Sequence, residues 1–218
     1  MHLLSIFHNT VDRLLILLPV VLSLLMSTPV TAVVVNGATL PEHVHRDGGG
    51  PELVLNGAGI RVIALFKVYV AAFYLPATSV DGEAILRAHP SSRLYFHLLR
   101  NLTVGELKTA ITDTLRDTLT PAQVLPLESR MQQLDGIFAA MHTLTKGSTF
   151  VIGYQPGTGT TFQVDGAVKG RITGADFNEA LLRIWIGDRP RDTHLRNALL
   201  GIGRTDSSAS ATTAAVRK

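Results

Sequence analysis

The chain has 218 residues, 46% of them hydrophobic and 17% charged, with no cysteine and a formal net charge of +3. That composition describes one globular domain with a sizeable core rather than a disordered chain. Zero cysteine excludes a disulfide framework, a Cys-ligated zinc or iron–sulfur site and a thiol nucleophile, and an excess of +3 over this length does not imply a nucleic-acid partner.

Leu14 to Met26 is a thirteen-residue apolar run, preceded by His8 and Arg13 and followed by small and polar residues from Ser27 to Ala32. This is the grammar of a signal peptide over residues 1–32, with cleavage expected after Ala32. A spanning helix needs about 20 apolar residues, and Pro19 interrupts this one, so no stable membrane span is expected after cleavage. The competing reading is an uncleaved anchor. An exported chain without cysteine suits the periplasm, where it needs no oxidative help to fold.

The domain proper is expected over residues 33–202. Val33 to Val35 and Ala38 to Leu40 read as strands joined by the Asn36-Gly37 turn signal. Glu52 to Leu55 reads as a short strand stopped by Asn56-Gly57-Ala58-Gly59, and Ile60 to Leu75 as a long β-run stopped by Pro76. Asp81 to Ala88 is a short helix, and Arg93 to Leu99 another strand. Thr103 with Glu106 forms a capping box ahead of Val104, Leu107, Ile111 and Leu115, which predicts a helix from Val104 to Leu119. Pro121 restarts a helix, and Glu128 to Met141 continues with Met131, Leu134, Ile137, Phe138 and Met141 on one apolar stripe.

After Gly147 the strand pattern returns as Thr149 to Gln155, Thr160 to Val164 and Ala167 to Ile172, joined by Pro156-Gly157-Thr158-Gly159 and Asp165-Gly166 turns. Gly174 to Ile186 is the last major helix, with Phe177, Leu181, Ile184 and Trp185 facing inward, and Thr193 to Leu200 adds a short one. Residues 203–218 are polar, small and low in complexity, and read as a disordered tail. Two blocks of strands separated by helices, with no βαβ alternation, argue for an α+β fold: a large antiparallel sheet carrying a helical layer.

Arg61 opens an otherwise apolar β-run. Its guanidinium either snorkels to the rim or faces an anion in a pocket, where its fork suits a carboxylate. Alternation puts Arg61, Lys67 and Tyr69 on one side of the run if no bulge intervenes. In one straight strand Arg61 and Tyr69 would stand about 26 Å apart at ~3.3 Å per residue. A joint site therefore requires a hairpin near Leu65, and no Gly, Pro, Asn or Asp lies between Val62 and Phe66 to announce one. His43 and His45 would point to one side of a strand and could share a metal, but no third ligand is marked, so no metal and no cofactor is expected. His97 reads as a core histidine ahead of a general base. No nucleophile elbow, phosphate loop or paired catalytic carboxylates are marked.

Read together, Leu53-Val54-Leu55-Asn56-Gly57-Ala58-Gly59-Ile60-Arg61, the run from Phe66 to Leu75, and Gly174-Ala175-Asp176-Phe177-Asn178 followed by Leu181 to Gly187 resemble the chalcone isomerase-like family, and in particular its exported bacterial branch. The resemblance implies an open-faced β-sandwich with a ligand cleft between sheet and helices. In the plant enzymes of the family an arginine after the Gly-rich segment, a threonine in the Phe-Lys strand, a tyrosine and an asparagine on the first long helix and a threonine–methionine pair on the late helix act on the substrate. Here those positions fall on Arg61, Tyr69, Leu107, Thr114, Ile184 and Trp185, so the arginine alone is kept. An arginine with a tyrosine in the Phe-Lys-Val-Tyr strand is similar to the non-enzymatic, fatty-acid-binding members. The resemblance thus implies a binder of a fatty acid or similar amphipathic carboxylate, with Arg61, Tyr69 and Lys67 at its head group. The alternatives are an isomerase or intramolecular lyase acting on an enone, and an envelope interaction protein whose cleft has collapsed.

Overall fold

The computed structural model describes residues 32–203 except 47, 48 and 50. The expected signal segment through Thr31 and the expected tail from Arg204 lie outside the described residues. The first strand, β1 (Ala32–Val35), begins one residue ahead of the expected cleavage point.

β1 pairs with β2 (Ala38–Pro41) across the Asn36-Gly37 turn, whose two residues have φ of 47° and 83°. Positive φ at both turn positions is what Asn-Gly supplies at little cost. The remaining strands are β3 (His43–Val44), β4 (Leu53–Ile63), β5 (Phe66–Leu75), β6 (Ser92–Leu98), β7 (Thr149–Gln155), β8 (Gly159–Val164) and β9 (Ala167–Ile172). They form one seven-stranded sheet in sequence order, and every neighbouring pair is antiparallel. The β1–β2 hairpin is a separate two-stranded sheet. Sequence order alone suggested that it would join the large one.

The helices are α1 (Gly82–Ala88), α2 (Val104–Thr118), α3 (Pro121–Val124), a 3-10 turn (Leu125–Leu127), α4 (Glu128–Ala139), α5 (Ala175–Ile186) and α6 (Thr193–Leu199). The capping box at α2 forms as expected: Thr103 Oγ1 accepts from Glu106 N at 3.1 Å, and Glu106 Oε2 accepts from Thr103 N at 2.8 Å. On α4, Leu134 and Phe138 are buried, as is Met141 just beyond the helix. Met131 and Ile137 are half-buried.

Strand alternation divides the core in two. Ala71, Phe73 and Leu75 of β5 face the helices with Leu94, Phe96 and Leu98 of β6, while Val70, Ala72 and Tyr74 face the β1–β2 hairpin with Leu40, Leu53 and Leu55. The sheet is therefore covered by helices on one side and by one small hairpin on the other.

Two expectations around β4 are corrected. Asn56-Gly57-Ala58-Gly59 is not a turn: β4 runs straight through it, with a register shift between Leu55 and Gly57. The glycines are there for approach of backbone to backbone. A Cβ at Gly57 would stand 2.1 Å from the Ala198 carbonyl oxygen, and one at Gly59 would stand 2.7 Å from Ala198 Cβ. Asn56 completes the junction, donating from Nδ2 to Leu199 O at 2.8 Å and to Ser79 O at 3.0 Å, and accepting from Ser79 N at 2.7 Å. The second correction concerns the long run from Ile60 to Leu75, which is two strands joined at Ala64-Leu65, where Ile63 pairs with Phe66. Ala64 takes φ of 55°, a conformation that a β-carbon disfavours.

Candidate functional site

That hairpin decides whether the sequence-level site exists. Because the chain reverses at Ala64-Leu65, Arg61 and Tyr69 are directly opposed cross-strand partners. The separation implied by one straight strand collapses to the contact distance of neighbours in a ladder.

Both side chains line a cavity of about 510 Å³ between the sheet and helices α2 and α5. This is an ordinary size for a small-molecule site. Its walls are largely apolar, with Phe96, Leu98, Leu107, Ile111, Leu144 and Phe150 among them. All six positions assigned by family resemblance, Arg61, Tyr69, Leu107, Thr114, Ile184 and Trp185, line this one cavity. The hollow is not filled by its own side chains, which removes the collapsed-cleft alternative. Solvent reaches it past the exposed Ile63, Glu106, Thr109 and Arg191.

At the polar end Arg61 is not free. Its Nη1 donates to Asp192 Oδ2 at 2.7 Å, with the two side chains only 20% and 17% exposed. Asp192 also caps α6, accepting from Leu195 N at 2.9 Å. Burial pushes the Asp192 carboxyl up, but the hydrogen bonds from Leu195 and Arg61 outweigh it and hold the group below its ordinary value. Asp192 had not been singled out in the sequence. Its signal was there as the capping aspartate before a short helix, but nothing local ties that cap to a strand lying 131 residues earlier.

Tyr69 is set by aromatic packing. Its ring stands edge-on to Phe96 at 5.1 Å, and Phe96 in turn packs on Trp185 at 5.3 Å and on Phe150 at 5.9 Å. Trp185 Nε1 donates to the Tyr69 hydroxyl oxygen at 3.2 Å. With its oxygen accepting that bond, the hydroxyl keeps its own proton to donate. Burial raises the Tyr69 pKa above its ordinary value, so the group is a neutral donor at physiological pH. Thr114 offers less, because its hydroxyl donates back to Ala110 O at 2.6 Å within α2.

Lys67 lies elsewhere. The register shift between Arg61 and Val62 breaks the alternation, and Lys67 Nζ donates to Asn36 Oδ1 at 2.6 Å on the exposed side, outside the cavity lining. His97 is half-buried on the sheet face opposite the cavity, pairing with Val70 and Thr149. His43 and His45 both approach Glu52, with Nδ1 at 3.8 and 3.3 Å from its carboxylate. Among the described residues no group of three or more His, Asp or Glu could hold a metal ion. Nor is any helix among them long and apolar enough to cross a membrane.

A large antiparallel sheet with a helical layer, a largely apolar cavity between them and an arginine–tyrosine pair at one end defines an α+β protein of the open-faced sandwich type. The family model described as chalcone isomerase-like matches residues 32–201, and the chain belongs to that family. Among solved structures it is similar to the crystal structure of a fatty-acid binding protein from Arabidopsis thaliana, at a TM-score of 0.66 and 16% identity over 78% of this chain and 96% of that one. At that identity the likeness speaks for the fold alone. No curated protein matches the chain.

Proposed function

We propose that the protein binds a fatty acid or similar amphipathic carboxylate, with the acyl chain in the cavity and the head group at Arg61 and Tyr69. The observation that carries this reading is the pairing of Arg61 with Tyr69 across the β4–β5 ladder at one end of a largely apolar hollow. A guanidinium has five N–H donors, and the one hydrogen bond it makes among the described residues uses Nη1. The remaining fork and the Tyr69 proton can converge on one carboxylate. The apolar walls then desolvate the tail at ~0.8 kcal/mol per methylene, about fifteenfold in affinity for every two carbons added.

The reading favours a carrier or sensor over an enzyme. Of the positions on which the family's enzymes act, Leu107 and Ile184 hold no donor, and Thr114 and Trp185 spend theirs on Ala110 and Tyr69. Few groups remain to polarise a substrate carbonyl. The apolar run from Leu14 to Met26 supports export of the protein, with work in the periplasm after cleavage.

Displacement of a fluorescent fatty acid by saturated acids of eight to eighteen carbons tests the ligand. Affinity should climb with chain length until the cavity is filled, and Arg61→Ala should weaken every acid at least tenfold. Wild-type protein that takes up no acid of any length refutes the reading. Amino-terminal sequencing of the protein from fractionated cells tests export, and an intact Met1 in the cytoplasmic fraction refutes it.

A further inference from the structure

Among the described residues two of the three two-residue hairpin turns use conventional chemistry: Asn36-Gly37 and Asp165-Gly166, each with positive φ at both residues. The third is Ala64-Leu65. It has neither glycine nor a polar residue, although Ala64 sits at φ of 55°. Around it, Val62, Ile63, Leu65 and Phe66 are 42, 51, 93 and 73% exposed. Leu65 and Phe66 are the two most exposed large hydrophobic side chains among the described residues. A turn that keeps strain and bare apolar surface together breaks two local rules at one place, which is the mark of a segment held for use.

The tip also projects. β6 pairs with β5 only from Tyr69 to Tyr74, so Phe66 and Lys67 extend past the end of that strand. From Leu53 to Val80 the chain contains no Asp or Glu, and of its two cations Arg61 is paired with Asp192, which leaves Lys67 as the unneutralised charge of the hairpin. Lys67 directly follows the apolar tip, and its partner is the neutral amide of Asn36. The tip adjoins the cavity as well, because Ile63 at its base is one of the residues solvent passes on the way in.

We propose that the Val62–Phe66 tip docks the protein on an anionic lipid bilayer, with Leu65 and Phe66 entering the acyl boundary and Lys67 meeting the head groups. Interfacial binding grows with the apolar area buried and gains from each cation near anionic lipid, and the tip offers two bare apolar side chains with Lys67 beside them. A second copy of the chain is the poorer occupant. Stable dimers bury about 800 Å² per partner, and the exposed parts of these four side chains amount to fewer than three whole ones. Docking there would set the cavity entrance beside the membrane surface, a step that goes beyond ligand binding itself.

The absence of cysteine makes a site-specific test clean. Leu65→Cys and, on the far edge strand β9, Lys169→Cys are each labelled with an environment-sensitive fluorophore in the full chain. Both are mixed with vesicles of phosphatidylcholine containing about a third phosphatidylglycerol. The label at position 65 should shift to the blue on mixing and the label at 169 should not; the shift should shrink in pure phosphatidylcholine and at high salt. Leu65→Asp combined with Phe66→Asp should lower vesicle partitioning at least tenfold while leaving fatty-acid displacement intact, which separates this proposal from the ligand reading. Equal shifts at both positions, or none at 65, overturn the proposal. A concentration-dependent shift at 65 without vesicles, with a doubled mass, also overturns it and makes a second copy the occupant.

Discussion

Asp192→Asn alters the polar end of the cavity by one charge. Asparagine caps a helix as well as aspartate does, so α6 keeps its N-terminal acceptor while the negative charge 2.7 Å from Arg61 Nη1 disappears. A ligand carboxylate seated on the free part of the Arg61 fork would lie about 6 Å from that of Asp192, where an effective dielectric near 20 gives a repulsion of about 3 kcal/mol. Solvent at the cavity entrance and rotation of Asp192 reduce this, and about half of it is a tenfold gain in carboxylate affinity. A neutral alcohol of the same length feels none of it. Displacement measured with dodecanoic acid and dodecanol therefore gives a ratio that should rise tenfold or more in the variant, and rise least in high salt. An unchanged or lower ratio refutes the placement of the head group on Arg61. The variant should also be less stable by about 1–2 kcal/mol at neutral pH, between the values for exposed and buried pairs. Because the folded carboxyl titrates below its ordinary 3.8, that stabilisation is present above this value and is lost as the pH falls through the lower folded one. Wild type and variant should converge in stability in strong acid.

Two further outcomes follow from the packing. Gly57→Ala places a methyl 2.1 Å from the Ala198 carbonyl oxygen and 2.7 Å from that of Leu199, so α6 must lift from β4. Chemical denaturation should show a loss of about 2–4 kcal/mol, within the range for overpacking at a backbone contact, and a wild-type midpoint would contradict the close approach. All four tyrosines have raised pKa values, Tyr74 up to about 12, with burial the largest cause in each case. The unfolded chain ionises first, so stability should fall as pH rises above 10, by no more than about 1.4 kcal/mol per pH unit for each tyrosine. Ultraviolet titration of native protein that shows a tyrosine ionising at or below 10 would contradict this burial.

Much of the architecture was legible because local chemistry agreed with the global fold. Asn36-Gly37 and Asp165-Gly166 marked hairpins, and Thr103 with Glu106 marked the start of α2. Arg61 and Tyr69 were legible as candidates, but their meeting at one cavity was not. It depends on a turn at Ala64-Leu65 that carries no turn residue and is imposed by ladder pairing on both sides. The glycines of 56–59 misled for the opposite reason. Glycine serves both reversal and close packing, and only the position of α6, far along the chain, tells which. Lys67 was misplaced because one bulge inverts the parity of everything beyond it.

The junction of β4 with α6 has a consequence for the order of assembly. Asn56 meets Leu199 across 143 residues and Arg61 meets Asp192 across 131. A growing polypeptide that has already produced every strand of the sheet still lacks the carboxylate that orients Arg61 and the helix that seats on Gly57. The polar end of the cavity is thus finished last, and a chain interrupted before Asp192 would carry the hollow without the partner of Arg61.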